Sequence, residues 1–459
     1  MKNLWDKGFI KNAVSIGTPI MLQQLLIQGM RLLDSLMIGT LGQKEVLAVG
    51  NAGQVSFLMY VFLFGAGSSA GVFTAQFWGK GDMSGIKKTL SFTLFIALLI
   101  ALPFFTAGFF FPETIMSLMN SDPEIVSLGA SYLKIDSLSY LFFAMAITFT
   151  SVLKGTRQTK LPLLTSFIAV ALNAFLNWVF IFGNLGMPRL GVAGAATGTA
   201  AAIIVEFILV YVLSQRKKNP VRMRLKELHW GSREFRGHFM RKCTPILINE
   251  MLWSLGNFGL VLIFNRMGEA SAATMAIFVV LERMCYIVFN GLANTSSIFV
   301  GNYIGAKNEK KAYDYAGKFL FSGVACAVVL GGLLIAIRGP VISLYNIPAA
   351  TAEMLGAVII VFGCVSWMSV FNFISIIGVL RGGGDTKFAA FIDLAAMYFF
   401  SLPIAYVLGV VLRLPIYWVY LCFIVAGDGF RAILGVRRIL SKKWIHNIVE
   451  ESEIFEVQL

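Results

Sequence analysis

The sequence predicts an all-α polytopic membrane protein with about twelve transmembrane helices in two pseudo-symmetric six-helix lobes. Three observations carry this prediction. Hydrophobic residues make up 57% of the 459 residues and charged residues 14%, and the mean hydropathy is +0.77. The apolar stretches are long enough to cross about 30 Å of hydrocarbon as helices of roughly 20 residues. Residues 18–82 also lie over residues 244–308 at an offset of about 226.

The internal repeat extends beyond its first helices. Residues 18–20 and 244–246 both read Thr-Pro-Ile. Residues 154–160 (KGTRQTK) match residues 381–387 (RGGGDTK) with one residue of slippage. Two copies of one apolar plan are typical of carriers that alternate access to a site between their halves.

The predicted helices are apolar stretches separated by polar, Gly or Pro residues. We expect spans near residues 12–40, 46–76, 89–111, 125–153, 161–183, 190–214, 243–265, 272–304, 314–337, 350–380, 388–412 and 415–436. They divide the chain into an N-terminal lobe of residues 1–214, a basic linker of residues 215–242, and a C-terminal lobe of residues 243–459 with a tail.

The net charge of +14 is explained by membrane topology. With the amino terminus inside, about 29 of the 38 Lys and Arg residues fall on the inner side and about 5 on the outer side. The linker carries Arg216, Lys217, Lys218, Arg222, Arg224, Lys226, Arg233, Arg236, Arg241 and Lys242. We expect it to lie on anionic lipid headgroups. The prediction is a multi-pass protein of the inner cell membrane with both termini cytoplasmic and no nucleic-acid partner.

Enzymatic chemistry has no support in the sequence. The five Cys residues have no paired spacing, and the three His residues lie in predicted loops or the tail. No Walker-type Gly-rich loop occurs, so we expect either an ion gradient as the energy source or a passive carrier, and not a pump driven by ATP. We therefore expect a protein that is not an enzyme, has no cofactor and needs no protein partner, which favours a monomer.

Polar residues follow one side of the first predicted helix and of its repeat partner, the seventh. In the first helix these are Gln24, Gln28 and Arg31. The offset carries them onto Glu250, Ser254 and Asn257. We expect both faces to line a shared central cavity.

Asp34 lies on the adjoining row of the first helix, and its repeat partner is Leu260. A carboxylate at bilayer depth costs several kcal/mol unless it meets a partner or a cavity. Asp34 is either a buried acid that exchanges a proton or Na⁺ against a cationic substrate, or one member of an ion pair with Arg31 that has no part in transport. Asp34 is thus the candidate Na⁺ ligand. Glu250 is either a second acidic contact or structural.

Further polar residues have the same two interpretations. Asn173 and Asn177 are one turn apart in the fifth helix, where they present amide oxygens to a cation or bond helix to helix. Glu282, beside Arg283, either takes part in cation coupling or has a structural role. Four charged residues nearer the inner helix ends are expected to be structural: Glu206, Asp393, Asp428 and Arg431.

Six segments resemble motifs of the MATE family, the multidrug and toxic compound extrusion transporters. They sample nearly the whole chain and agree with the two-lobed plan. The segments are residues 29–39 (GMRLLDSLMIG), 76–82 (QFWGKGD), 153–160 (LKGTRQTK), 172–183 (LNAFLNWVFIFG), 300–310 (VGNYIGAKNEK) and 380–387 (LRGGGDTK).

The resemblance implies an antiporter that takes up Na⁺ or H⁺ while its two lobes alternate access and expel hydrophobic organic cations. Asp34 matches the family's acidic cation-site residue in the first helix. Glu250 lies three residues before the position, here Trp253, where some members carry an acid. Asn177 replaces the Asp of another branch, and Val370 stands where some members have a tenth-helix acid.

Two alternatives remain beside this expectation. A flippase for polyprenyl-linked sugars or another lipid-linked substrate needs several basic residues in its cavity to hold a diphosphate. We expect mid-helix basic residues to be limited mainly to Arg31 and Arg283, which disfavours it. A membrane receptor without transport is disfavoured by the duplicated polar faces.

Overall fold

The computed structural model describes residues 7–216, 219, 221–223, 227–345 and 347–451. This part of the chain is helical, with no strand and one isolated antiparallel bridge between Gly384 and Ile445. The helices are α1 (Lys7–Gly39), α2 (Gln43–Lys80), α3 (Met83–Phe110), α4 (Pro112–Met119), α5 (Pro123–Ser137), α6 (Tyr140–Gly155), α7 (Lys160–Phe182), α8 (Val192–Ser214), α9 (Arg233–Arg266), α10 (Glu269–Gly305), α11 (Glu309–Ala336), α12 (Arg338–Ser343), α13 (Ala349–Phe373), α14 (Thr386–Ala395), α15 (Leu402–Tyr406) and α16 (Ile416–Leu440). Three π-helical segments, Ile374–Arg381, Ala396–Ser401 and Val407–Val411, continue α13, α14 and α15.

The repeat sets helix boundaries in the same way in both halves. After α2, Gly81 has φ +80° and Asp82 caps α3 by accepting a hydrogen bond of 2.9 Å from a backbone amide. After α10, Lys307 has φ +57° and Asn308 caps α11 through a bond of 3.1 Å. A left-handed residue followed by a side-chain cap ends one helix and begins the next within a few residues.

The chain divides into two compact units, with boundaries after Gly17 and after Phe239. We call residues 18–239 the N-terminal unit, and residues 240–451 together with 7–17 the C-terminal unit. Equivalent helices have nearly equal lengths: α2 and α10 have 38 and 37 residues, and α3 and α11 have 28 each. Each unit has its own apolar core, around Leu133 in one and around Phe362 in the other.

The predicted fold class is confirmed, with a correction to the number of spans. In the described residues, ten helical segments are long and apolar enough to cross a membrane, or eleven if α5 and α6 are counted as one span bent by 49°. The prediction was about twelve. The difference is α1, which is long enough but is not among these segments, because three Gln residues, Arg31 and Asp34 lower its hydropathy.

Two predicted segments also need correction. Residues 125–153 were expected to form one helix, but α5 ends at Ser137 and α6 begins at Tyr140. The linker was expected to extend to residue 242, but α9 begins at Arg233, so residues 233–242 are helical. Four of its basic residues lie outside the described residues: Lys217, Lys218, Arg224 and Lys226.

Candidate cation site

A chain of polar side chains links α1, α7 and α8 inside the N-terminal unit. Asn177 donates a hydrogen bond from Nδ2 to Oδ1 of Asp34 at 2.6 Å, and the same group lies 3.4 Å from Oδ1 of Asn173. Asn173 in turn donates to the Thr199 hydroxyl at 3.2 Å. Both Asn side chains are fully buried. The spacing of one helical turn brings the two amides of α7 to one face, where α1 supplies the acid.

Close packing of α7 against α8 positions these amides. Gly198 of α8 lies directly against Asn177, where a Cβ atom would collide with Oδ1. The Tyr132 hydroxyl on α5 hydrogen-bonds Thr199 and interacts electrostatically with Asp34. Four helices therefore contribute to one small site.

The site offers oxygen atoms to a cation. Asn177 Oδ1 is buried and has no hydrogen-bond partner in the described residues. An orphaned buried acceptor is costly unless something fills its place. Carboxylate, amide and hydroxyl oxygens suit hard cations and protons. No group of three or more His, Cys, Asp or Glu side chains that could hold a metal was found in the described part of the chain.

The alternative of a close ion pair between Arg31 and Asp34 is not favoured, because the two residues interact electrostatically without a salt bridge in the described residues. Arg31 is exposed, and its guanidinium carbon lies 5.9 Å from the ring centroid of Tyr60. Gln24 and Gln28 are partly exposed on the same helix.

The equivalent face of α9 differs because Glu250 forms an ion pair with a buried Arg residue. Arg381, at the end of the π-helical segment after α13, donates from Nη1 to Glu250 Oε1 at 2.6 Å. The Arg381 side chain is 3% exposed and that of Glu250 is 14% exposed. Ser254 is partly exposed, and Asn257 donates to the Trp253 carbonyl oxygen at 2.9 Å. The α9 acid therefore has a cationic partner, whereas Asp34 has an amide.

Three acids in the C-terminal unit also have partners. The Tyr420 hydroxyl donates to Glu282 Oε1 at 3.1 Å. Arg431 joins Asp393, at 3.0 Å from Nε, to Asp428, at 2.8 Å from Nη1. Ser369 donates a further hydrogen bond to Asp428. For Asp393, Asp428 and Arg431 these pairings have the geometry of the structural role expected from the sequence.

The expectation about basic residues was wrong. Arg381, Arg431 and Lys318 are buried or nearly buried in helical segments, whereas the expected Arg31 and Arg283 are exposed. Lys318 pairs with an acid one turn away, Asp314, at 2.9 Å. Each of the three cations is matched by a carboxylate, so none offers free positive charge to a diphosphate.

Sequence reasoning missed Tyr132, Asp136 and Thr199. Asp136 is 5% exposed and lies at the bend between α5 and α6. Asp136 could have been identified from the sequence, because it is an acid within a predicted span. Tyr132 and Thr199 carry no such signal, since hydroxyl groups are ordinary in membrane helices.

A family model called MatE matches residues 19–179 and, one repeat later, residues 245–407. The chain belongs to the MatE family. The two matches cover both halves of the internal repeat, and they include Asp34, Asn173 and Asn177 in the first copy and the Glu250 and Arg381 pair in the second.

Curated relatives of this MatE chain match over nearly their whole length. An uncharacterized transporter of Bacillus subtilis, YisQ, is 26% identical over 97% of both chains. A probable multidrug resistance protein of Thermotoga maritima, NorM, is 24% identical over 95% of this chain and 93% of its own. A multidrug resistance protein of Pseudomonas aeruginosa, PmpM, is 24% identical over 89% and 86%.

Solved structures show the same fold. A MOP superfamily transporter from Pyrococcus furiosus, whose binding pocket is described as having reversed polarity, has a TM-score of 0.85 at 17% identity, covering 94% of this chain and 96% of that one. The eukaryotic MATE transporter AtDTX14 has a TM-score of 0.81 at 17% identity, covering 97% and 99%. The chain thus has the MATE fold as well as the sequence features of the family.

Proposed function

We propose that this MatE protein is a cation-coupled antiporter that exports hydrophobic organic cations while access to its site alternates between its two halves. The observation that carries the proposal is the hydrogen-bonded pair of Asp34 and Asn177. In the described residues, the Oδ1 atom of the same Asn177 amide is buried and has no hydrogen-bond partner. The names of the multidrug resistance relatives support an organic substrate.

Asp34 is the exchangeable carboxylate in this mechanism. The hydrogen bond from Asn177 Nδ2 stabilises the ionised form. A half-turn of the amide would present Oδ1 instead, which accepts a hydrogen bond from the protonated carboxyl or ligates Na⁺. Asn173 would supply a second amide oxygen. Either H⁺ or Na⁺ can therefore serve as the coupling cation.

Competition for one carboxylate produces antiport. An empty, ionised site is costly to reorient through a region of low dielectric, whereas a site that holds a proton, Na⁺ or an organic cation is nearer to neutral. Occupied forms thus change conformation more readily than the empty form. The inward gradient of the coupling cation then drives the organic cation out.

The other polar residues have secondary parts in the proposal. Gln24, Gln28, Arg31, Ser254 and Asn257 would line the path of the substrate. Glu250 and Glu282 already have partners in Arg381 and Tyr420, so we place the exchange at Asp34. The protein would work as a monomer in the inner membrane with both termini in the cytoplasm, as the basic inner loops favour.

The test is efflux of a fluorescent organic cation from proteoliposomes under an imposed Na⁺ gradient or an imposed pH gradient. We expect one gradient to drive efflux in the wild type and Asp34→Asn to abolish it. Glu113→Gln, on an exposed acid of α4, is the matched control and should keep wild-type efflux. Full efflux by correctly folded Asp34→Asn protein would reject the proposal.

Transport of a lipid-linked substrate is the second candidate, and the charges do not favour it. The buried cations Arg381, Arg431 and Lys318 are all paired with carboxylates. Absence of efflux under both gradients would revive it.

A further inference from the structure

One buried acid of the N-terminal unit has no part in the mechanism above. Asp136 lies 13 residues into the span that begins at Pro123, on the order of 20 Å along the helix axis. The helix breaks immediately afterwards, between Ser137 and Tyr140, and bends by 49°. Broken helices at this depth are tolerated where side chains or a bound group satisfy the freed backbone.

In the described part of the chain, hydroxyl groups meet the Asp136 carboxylate. Ser56 on α2 donates to Oδ2 at 2.8 Å, and its Oγ lies 2.9 Å from the Tyr140 hydroxyl on α6. Tyr140 also interacts with Asp136. The Asp136 residue is 5% exposed.

No cation compensates this charge. The titratable side chains that interact with Asp136 are Tyr132 on α5 and Tyr140 on α6. Within the described residues, α2, α3, α4 and α8 bring no charged group into interaction with it. A buried carboxylate without a cation is far more stable with a proton bound.

Asp136 is connected to the candidate cation site. Tyr132 lies one turn before it on α5 and interacts electrostatically with both Asp136 and Asp34. Through Thr199, Tyr132 also reaches the amides of α7. A cation at Asp34 therefore acts on a connected set of groups that ends at Asp136.

This acid is not part of the repeated plan. At the offset of 226 or 227, its counterpart is Phe362 or Gly363.

We propose that Asp136 is a second proton-exchanging acid, which is protonated when the Asp34 site is empty of organic cation and releases its proton to water when that cation binds. The O–H bond of the carboxyl breaks, and the carboxylate left behind is stabilised by Ser56, Tyr140 and the positive charge at Asp34. The inference rests on the proposed function for the identity of the organic cation.

Proton release on binding tests this directly. Purified protein in weak buffer is titrated with ethidium while a pH-indicator dye reports protons, and the dissociation constant is measured by fluorescence anisotropy over a range of pH. The slope of the logarithm of the dissociation constant against pH gives the number of protons displaced per ethidium bound. We expect Asp136→Asn to release about one proton fewer per ethidium bound than the wild type.

Ser56→Ala gives a second measurement that keeps the carboxyl. With one donor fewer the carboxylate holds its proton more tightly, so the pH profile of ethidium binding should move up by about 1 pH unit. Ser131→Ala removes an exposed hydroxyl on α5, the helix of Asp136, and should leave the pH profile of ethidium binding unchanged. This comparison decides the question if Asp136→Asn does not fold.

Wild-type proton release in Asp136→Asn, or an unmoved profile in Ser56→Ala, overturns the inference. Failure of the proposed function has another signature, because wild-type protein would then show no efflux that depends on Asp34. Efflux that depends on Asp34 together with unchanged proton release would reject Asp136 alone.

Discussion

Gln23 donates a hydrogen bond from Nε2 to Oγ of Ser166 at 2.8 Å, and the repeat contains the same bond a second time. In the C-terminal unit Asn249 donates to Oδ2 of Asp393 at 3.0 Å, and both residues stand at the repeat offset from the first pair. In each unit a further polar contact links the acceptor residue to the last long helix, which is α8 in one unit and α16 in the other. Ser166 donates to Glu206 at 2.6 Å.

In the second copy, Asp393 pairs with Arg431, so this network ends in a base where the first ends in an acid. One polar architecture thus carries different charges in the two halves, because Asp393 stands in place of Ser166 and the network reaches Arg431 in one copy and Glu206 in the other. The hydrogen bond from the neutral amide of Gln23 or Asn249 is present in both copies.

Loss of the Arg431 charge should destabilise the C-terminal unit. Arg431→Met leaves Asp393 and Asp428 buried without a cation, and breaking a buried pair from one side costs about 3–5 kcal/mol. The free energy of unfolding in mixed micelles measures this cost. Arg437→Met, on an exposed position of the same helix, is the control. Equal stability of the two variants would contradict the prediction.

The pair of Glu250 and Arg381 should behave as a structural unit. Glu250→Gln or Arg381→Gln alone leaves one buried charge unpaired, which we expect to cost about 3–5 kcal/mol. The double variant removes both charges and should recover much of that stability. We expect it to retain efflux as well. A stable double variant without efflux would instead assign Glu250 a direct part in transport.

Adding one methyl group at Gly198 should disturb the cation site without removing any of its polar atoms. The Cβ of Gly198→Ala would displace Asn177, which then loses its hydrogen bond to Asp34. That bond stabilises the ionised, unoccupied carboxylate by about 1.5–3 kcal/mol, so its loss should raise the apparent affinity for the coupling cation about tenfold or more. Efflux measured against ion concentration gives this affinity.

Gly71→Ala is the matched control for that substitution. Gly71 lies inside α2, and a Cβ atom there meets open space. Its replacement should leave ion affinity unchanged, since Ala favours the helix. An equal change of affinity in both variants would point to a general effect of Gly replacement on packing.

The segment after α16 should contribute strongly to stability. Trp444 is fully buried and donates from Nε1 to the Ile439 carbonyl oxygen at 3.1 Å, and Gly383 packs against its ring. Trp444→Ala should therefore cost about 3–5 kcal/mol. Thermal unfolding in detergent checks this against Trp367→Ala, which removes a Trp that is 44% exposed. Identical melting of both variants would show that the segment does not stabilise the fold.

The sequence by itself determined the class, the duplication and the positions of most helices. These properties depend on hydropathy along the chain and on the repeat offset, which are both local or one-dimensional. Asp34, Asn173 and Asn177 were also identified as candidates from the sequence, since polar residues one turn apart in an apolar helix need a partner.

Only the tertiary structure decided which polar residues meet. Asp34 finds Asn177 and not the nearby Arg31, while Glu250 finds Arg381, more than a hundred residues away in the chain. Such pairings depend on the rotation and axial position of each packed helix, which a polar face does not specify. An acid looks the same in sequence whether an amide, a guanidinium or a hydroxyl group meets it, and that partner decides its chemistry.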